Sequence, residues 1–353
     1  MLAEAHNYLL HSLMCQNCKV STRAELPSGV PAGNFGPRLQ AMIAVCSGQY
    51  HMSKRMIEEM MSDFFDAKLC LGSVANLEQD TSEALSAPVA QAAQYINEQP
   101  IKHADETGWT EAKKRAWLWV AVASNVAVFL IRRSRGAVVA KELLGERFTG
   151  LLISDRWNGY NWIPTSRRQL CWAHLVRQFK GFEDHGVHGQ RIGQALQACS
   201  ASMFSDWQRV RDGTLQRSSF QQYMGPIRGE VLELLREGSL CGVPKIAGRC
   251  REILKLQAAL FTFVRVVGVE PTNNIAERAI RPAVLWRKGS FGTDSEAGSR
   301  FVGRILTAVA TLRMQKRNVL DYITQACEAR LHAQAAPSLI PHTLRIDAPA
   351  IAV

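Results

Sequence analysis

The chain has 353 residues, 47% of them hydrophobic, and a formal net charge of +11. This hydrophobic fraction excludes a disordered chain and predicts a folded protein with a substantial core. Nine cysteines in a chain of this length do not form the dense pattern of a disulfide scaffold. We see no secretory signal, so we expect a cytoplasmic protein. The positive charge favours an anionic partner such as nucleic acid.

Near the start of the chain, Cys15 and Cys18 form a CQNC motif. This pair supplies half of a four-ligand structural zinc site, and free thiols are the alternative. To complete the site, zinc would have to recruit other side chains. The candidates are His6, His11 and Cys46.

The sequence pattern predicts that residues 36–98 are helical. Within them, the patterns from Ser53 to Glu83 resemble a helix-turn-helix, with Ser73 as the N-cap of the second helix. The acidic balance of this segment argues against a strong grip on DNA by the segment alone. A helical packing module is therefore the alternative interpretation.

A strand at about 101–107 is predicted to carry Asp105. The apolar run Ala116–Ile131 is too short for a membrane span and is broken at Ser124 and Asn125, so two buried strands fit better. A helix at 136–145 follows. Another apolar strand, LLIS, then delivers Asp155 at its end.

A short strand, RRQLCW, and a helix, AHLVRQF, come next. Cys171 and His174 have a spacing that suits zinc, but two ligands do not make a site. The simpler interpretation is a buried thiol and a hydrogen-bonded histidine. Residues 181–265 contain several helical patterns separated by glycine and proline, which predicts an all-helical insertion.

Another helix should start near Ile275, where Thr272, Asn273 and Asn274 are candidate N-caps and Glu277 falls in the first turn. Four basic residues surround that glutamate and are candidates for phosphate contacts, although such a run also suits a solvated surface. They are Arg278, Arg281, Arg287 and Lys288.

From Ser295 a periodic helix should place one apolar face on the sheet and its arginines outward. The apolar residues are Phe301, Ile305, Leu306, Val309 and Leu312, and the arginines are Arg300, Arg304 and Arg313. We expect residues 332–353 to form a loosely ordered tail.

Asp105, Asp155 and Glu277 lie where a strand or helix pattern ends or turns polar. Hard divalent cations take oxygen ligands and leave positions for phosphate, so a phosphoryl-transfer site needs carboxylates gathered from distant segments. The neighbouring Glu106 should support the site or point outward, because adjacent strand residues face opposite ways.

These motifs resemble a known family. DETGW, SDRWNGY, QLCWAHLVRQF and, above all, PTNNIAERAIRP followed by RKGSFGTDSEAG are similar to the catalytic core of the insertion-sequence 66 (IS66) bacterial transposases, which belong to the DDE group. The resemblance runs from about Gly36 to about Tyr322. It implies an α/β, ribonuclease H-like fold, in which a mixed sheet is flanked by helices, interrupted by an all-helical insertion and preceded by a helical region. The catalytic domain would comprise residues 99–180 and 266–331.

The resemblance also implies roles. Asp105, Asp155 and Glu277 would be catalytic and would bind two Mg²⁺ or Mn²⁺ ions, with Cys171, His174 and Asn274 as active-site support. The partners would be element ends, target DNA, further copies of the chain and accessory proteins of the same element. No membrane is implied, and the protein would associate with the nucleoid.

Relatives tend to carry two CxxC knuckles, so residues 1–35 would be the remnant of a zinc-knuckle region in an N-terminally shortened copy. Two alternatives to an active transposase follow. One is an inactive DNA-binding derivative, and the other is a structure-selective nuclease on the same fold.

Overall fold

A five-stranded mixed sheet forms the centre of the protein. The computed structural model describes residues 4–31 and 33–341. The sheet strands are β3 (Ile101–Glu111), β4 (Lys114–Ala123), β5 (Val126–Arg132), β6 (Leu151–Ser154) and β7 (Arg168–Leu170), preceded by a separate hairpin of β1 (Ser12–Met14) and β2 (Ser21–Arg23).

The strand order is β5-β4-β3-β6-β7. The pairs β3–β4 and β4–β5 are antiparallel, whereas β3–β6 and β6–β7 are parallel. Two-residue turns join the antiparallel strands, with positive φ at Ala112, Lys113, Ser124 and Asn125. Such turns match the twist of a hairpin. The predicted break at Ser124 and Asn125 is therefore a strand turn.

Helices cover both faces of the sheet. The helices before the central sheet are α1 (Pro37–Gly48), α2 (Lys54–Phe65), α3 (Leu71–Ala84) and α4 (Ser86–Glu98). Those that follow are α5 (Ala137–Leu144), α6 (Trp172–Lys180), α7 (Gly186–Arg211), α8 (Arg217–Leu240), α9 (Pro244–Leu254), α10 (Thr262–Arg265), α11 (Asn274–Ser290), α12 (Glu296–Met314) and α13 (Val319–Leu331). The predicted α/β, ribonuclease H-like arrangement is confirmed.

Two hydrophobic cores lie on the sheet. In the first, α12 packs on β5, and α1, α3 and α13 pack around α12. In the second, helices α7–α10 share a core with Leu151, Ile153 and Leu170 of the parallel strands. Across residues 4–31 and 33–341, no helix is both long and apolar enough to cross a bilayer.

The N-terminal helices differ from the helix-turn-helix expectation in one detail. Ser53 caps α2 by accepting the Met56 N–H, whereas α3 begins three residues earlier than expected and is capped by the Sγ of Cys70, not by Ser73. The inner face of α3 packs on α1, α12 and α13. This face of α3 serves packing.

The C-terminal segment is attached to the core through residue 341. Leu339 is completely buried, Tyr322 Oη donates to the Pro337 carbonyl at 2.6 Å, and Gln315 Nε2 donates to the Leu339 carbonyl at 2.8 Å. This part of the expected loose tail is therefore held by buried apolar surface and hydrogen bonds. Residues 342–353 lie outside the described part of the chain.

Helix α12 buries its predicted apolar face, but one of its arginines is not directed outward. Arg304 donates to the Ser82 carbonyl at 2.9 Å, the Glu83 carboxylate at 2.8 Å and Ser86 Oγ at 2.8 Å. Helix α12 lies between the sheet and the helices α3 and α4, so two of its sides are covered. Arg300, by contrast, is exposed and pairs with Glu296 on its own helix.

We predict that Arg304→Ala lowers the free energy of unfolding by about 2 kcal/mol, because it removes charge-assisted hydrogen bonds from a mostly buried guanidinium. Arg300→Ala is the matched control and should cost ~0.5 kcal/mol or less, since it removes an exposed pair within one helix. Urea denaturation of both variants measures the difference. Equal losses would contradict the bridging role of Arg304.

Candidate active site

Asp105 and Asp155 come together through the parallel pairing of β3 with β6. The register pairs Ile101 with Leu151 and His103 with Ile153. Continued two residues further, the same register sets Asp105 opposite Asp155, and neighbouring strands lie about 4.8 Å apart. The parallel pairing of β3 with β6, which are separated in the chain by β4, β5 and α5, therefore brings together two acids from distant parts of the chain.

Glu277 reaches the same end of the sheet from α11, and Asn273 anchors the start of that helix. The Asn273 side chain is buried, donates through Nδ2 to the Ala104 carbonyl at 2.8 Å, and meets His103 Nδ1 at 3.1 Å. Its backbone N–H donates to Cys171 Sγ at 3.1 Å. Asn273 occupies the N-cap position, but its side chain makes no capping hydrogen bond. It holds α11 against β3 instead.

Asn274, expected as active-site support, is exposed. It lines a cleft of about 640 Å³ between α6, α7 and the start of α11, together with Arg177 and Glu277. The supporting contacts to β3 are made by its neighbour Asn273. The sequence suggested both asparagines as caps, and only their burial separates them.

The electrostatics of Asp105 show that acidic groups cluster here. Burial raises the pKa of Asp105 to about 7, and the negative charges of Glu106, Asp155 and, to a smaller extent, Glu277 raise it in the same direction. A hydrogen bond from the Glu106 N–H partly opposes this. A divalent cation would relieve the repulsion, and oxygen ligands suit Mg²⁺ or Mn²⁺. Among the described residues, however, Asp105, Asp155 and Glu277 do not form a group whose ligand atoms all lie within 4.8 Å of one another, so the side chains would have to move closer to share an ion.

Glu106 lies on the opposite face of β3, where it is buried and paired. Its carboxylate accepts hydrogen bonds from Arg135 at 2.8 Å and from Tyr160 Oη at 2.7 Å. The guanidinium of Arg135 also lies 3.7 Å from the ring centroid of Trp157, and the backbone N–H of Trp157 donates to Asp155 Oδ1 at 2.8 Å. This network fixes the loop that carries Asp155.

Sequence reasoning missed Arg135 and Tyr160. Tyr160 belongs to the SDRWNGY motif, so the motif itself was a signal that it lies close to Asp155. Arg135 gave no comparable signal, because its role depends on the pairing with Glu106 across the fold. His103, beside Asn273, is also buried, and burial lowers its pKa to about 4. Its imidazole is therefore neutral at pH 7.

Cys171 and His174 lie beside Glu277, at the start of α6. Glu277 Oε1 is 3.6 Å from Cys171 Sγ, 3.3 Å from His174 Nδ1 and 3.8 Å from Arg177 Nη2. Burial raises the pKa of the Cys171 thiol and lowers that of His174. Both side chains are therefore directed at the third acid.

The four basic residues of α11 differ in their surroundings. Arg278, Arg281 and Lys288 are exposed, and Arg278 borders a second cavity of about 420 Å³ between α11 and α12. Arg287 is partly buried and donates through Nη1 to the Gly108 carbonyl and to Thr107 Oγ1. Its guanidinium connects α11 to β3 through one nitrogen, and the expected phosphate contact stays a prediction.

Cys15 and Cys18 are exposed at the turn between β1 and β2. Hydrogen bonds from the backbone N–H groups of Cys18 and Asn17 lower the pKa of the Cys15 thiol. Cys46, a proposed third ligand, is buried among apolar residues of α1, α2 and α3. Among residues 4–31 and 33–341, no third His, Cys, Asp or Glu lies close enough to Cys15 and Cys18 to bind the same metal ion.

Comparison with known proteins gives the family. A sequence model described as "Transposase IS66 family" matches residues 32–300, most of the chain. The chain belongs to the IS66 family of transposases. It is also 28% identical over 233 residues to a Sinorhizobium fredii (strain NBRC 101917 / NGR234) protein described as "Uncharacterized protein y4qI". That match covers 60% of this chain and 43% of the relative, so the chain spans less than half of the relative's length.

We predict that Asp105 makes the metal-free protein less stable as pH rises. The pKa of Asp105 in the fold, about 7, lies above its ordinary value of 3.8, so the folded state binds this proton more tightly than the unfolded state does. Its contribution to the free energy of unfolding, on the order of 4 kcal/mol, is fully present below about pH 4 and is lost as pH rises through about 7.

Thermal or urea unfolding in a chelator, at several pH values between about 4 and 8, measures this loss. Asp105→Asn should flatten the decline, because the amide carries no charge at any of these pH values. Asp63→Asn, at an exposed aspartate of α2, is the control and should leave the fall in the free energy of unfolding with rising pH unchanged. The same decline in Asp105→Asn as in the parent protein would refute the prediction.

Proposed function

We propose that this IS66-family protein is a DDE transposase. It would cleave DNA at element ends and join the freed 3′ ends to target DNA, using Asp105, Asp155 and Glu277 to bind two Mg²⁺ or Mn²⁺ ions. The observation that carries the proposal is that Asp105, Asp155 and Glu277 lie at one end of the sheet, close enough to interact: burial and the charge of Glu106 raise the pKa of Asp105 most, and the charges of Asp155 and Glu277 add to the rise. Acids brought from three separate segments repel one another, and this arrangement persists where a bound cation offsets the cost.

The geometry suggests a division of labour. When bound, the two ions would activate water or a 3′ hydroxyl and stabilise the entering and leaving oxygens of the phosphate. Asp105 and Asp155 would bind them from neighbouring strands, and Glu277 would complete the set from α11. The pairing of Glu106 with Arg135 leaves Asp105 as the acid of β3 that is free of an ion pair among the described residues.

Phosphate binding fits the exposed basic residues of α11. Arg278, Arg281 and Lys288 follow Glu277 on one helix, so DNA held at the acids would pass over them. Element ends and target DNA would be the substrates, and further copies of the chain and accessory proteins of the element would be partners. Such a protein would act at the bacterial nucleoid.

We predict that Glu277→Gln lowers metal-dependent DNA cleavage at least ~100-fold, which corresponds to about 2.7 kcal/mol of activation free energy. DNA binding should be retained or slightly tighter, because a negative charge is removed. The assay follows nicking of supercoiled plasmid, and joining of oligonucleotides with free 3′ hydroxyls, in Mg²⁺ or Mn²⁺. Asp63→Asn is the control.

Three results distinguish the candidate functions. Cleavage with joining supports the transposase, cleavage without joining supports a nuclease, and DNA binding without either supports an inactive derivative. Unchanged cleavage by Glu277→Gln would remove this residue from the proposed site.

Lys288 and Arg287 should differ as DNA-binding residues. We predict that Lys288→Ala weakens binding to all DNA sequences alike and lowers the salt dependence by about one counterion, because it removes one phosphate contact. Arg287→Ala should instead lower the melting temperature, because the Gly108 carbonyl loses its donor. Titrations of labelled DNA at several salt concentrations, with melting curves of both variants, make the comparison. Loss of stability in Lys288→Ala alone would reverse the two roles.

A further inference from the structure

The side chains around Glu277 have the composition and spacing of a zinc site. One ligand atom each from Cys171, His174 and Glu277 lies within 4.8 Å of the other two. Thiolate, imidazole and carboxylate are the ligands that zinc takes in proteins, whereas magnesium prefers oxygen alone. This cluster therefore differs in chemistry from the carboxylates of the proposed magnesium site, although Glu277 belongs to both.

Two of the three distances between the ligand atoms match the edges of a tetrahedral zinc site. Glu277 Oε1 is 3.3 Å from His174 Nδ1 and 3.6 Å from Cys171 Sγ. Zinc bonds of about 2.0–2.1 Å to nitrogen, about 2.0–2.2 Å to oxygen and about 2.3 Å to sulfur imply edges of roughly 3.3–3.6 Å in a tetrahedron. The third distance, between the ligand atoms of Cys171 and His174, is at most 4.8 Å.

The surrounding hydrogen bonds leave the ligand atoms available. His174 Nδ1 is shielded from solvent and, within the described part of the chain, makes no hydrogen bond of normal geometry. An imidazole nitrogen in this state is either an unpaired polar atom or a metal ligand. The Asn273 N–H donates to Cys171 Sγ at 3.1 Å, a contact that stabilises a thiolate.

We propose that Cys171, His174 and Glu277 bind a zinc ion, and that this ion withdraws Glu277 from the catalytic metals. The second half of the proposal rests on the proposed function. On binding, the Cys171 thiol releases its proton to water and its sulfur bonds to the ion. Glu277 lines the cleft of about 640 Å³, so water from this cleft would be available as the fourth ligand.

One cation competes for the same carboxylate. Arg177 Nη2 lies 3.8 Å from Glu277 Oε1, but the Arg177 side chain is 63% exposed. It can turn into solvent when zinc binds, because exposed ion pairs contribute little to stability. The positive charges of Arg177 and Arg156 lower the pKa of His174, and the negative charges of Glu277 and Asp155 raise it.

Cobalt(II) tests the site without DNA. In the full chain carrying Cys15→Ser and Cys18→Ser, which removes the exposed CQNC pair, we expect one Co²⁺ per protein. Its spectrum should contain a thiolate-to-cobalt charge-transfer band and tetrahedral ligand-field bands, and Zn²⁺ should abolish both. Cys171→Ser and His174→Ala, made in this background, should each lose the charge-transfer band or weaken Co²⁺ binding at least ~10-fold.

Cys70→Ser in the same background is the matched control, because Cys70 is an exposed cysteine at a helix N-cap where serine serves equally well. It should keep the spectrum. Circular dichroism confirms that each variant is folded, and the half-exposed His174 gives a second variant if Cys171→Ser does not fold. Absence of the band in the parent background, or its survival in both Cys171→Ser and His174→Ala, would overturn the zinc site.

Competition between the two sites has its own measurement. Mn²⁺ binding, followed by electron paramagnetic resonance, should weaken at least ~10-fold when one equivalent of Zn²⁺ is added, because Glu277 is no longer available. Unchanged Mn²⁺ affinity at saturating zinc would overturn the regulatory half of the proposal. Absence of any Mn²⁺ binding would count against the proposed function alone, and the cobalt spectra would still decide the zinc site.

Discussion

The buried side chain of Asn273 joins three parts of the chain that are far apart in sequence. It bonds to His103 and Ala104 on β3, and its backbone N–H reaches Cys171 at the start of α6. Cys171 in turn donates its N–H to the Ser154 carbonyl at the end of β6. A buried amide must satisfy its hydrogen bonds, so this asparagine confines α11 to one position, and the location of Glu277 follows.

Charge is distributed unequally between the two faces of β3. Glu106 is paired with Arg135 and accepts a hydrogen bond from Tyr160, whereas the neighbouring Asp105 has no such partner among the described residues, and burial together with nearby acids raises its pKa to about 7. Alternation along a strand makes this division possible, because adjacent side chains point to opposite faces. Glu106 is therefore held in an ion pair within the fold, whereas the carboxyl group of Asp105 is available to bind a proton or a cation.

The helices that follow α6 are tied to the central sheet and are not a loose appendage. Gln169 on β7 bonds to the Leu260 carbonyl and the Phe263 N–H, and Trp172 donates to the same Leu260 carbonyl at 2.7 Å. These contacts hold the first turn of α6, which carries His174. Helix α7 then forms one wall of the cleft next to Glu277. Residues of α7 therefore lie beside the third acid.

The sequence by itself determined the order of strands and helices, the buried face of α12 and the three acids, because periodicity, turn residues and motifs are local properties of the chain. The tertiary structure decided which of several similar residues is buried and bonded to a distant segment. Arg304 and Arg287 look like solvent-facing cations in sequence, but each binds a segment about 180 or more residues away. Asn273 and Asn274 are equivalent as caps, yet only Asn273 is buried. Burial and partnership depend on which distant surface covers a side chain, and helical or strand periodicity carries no information about that surface.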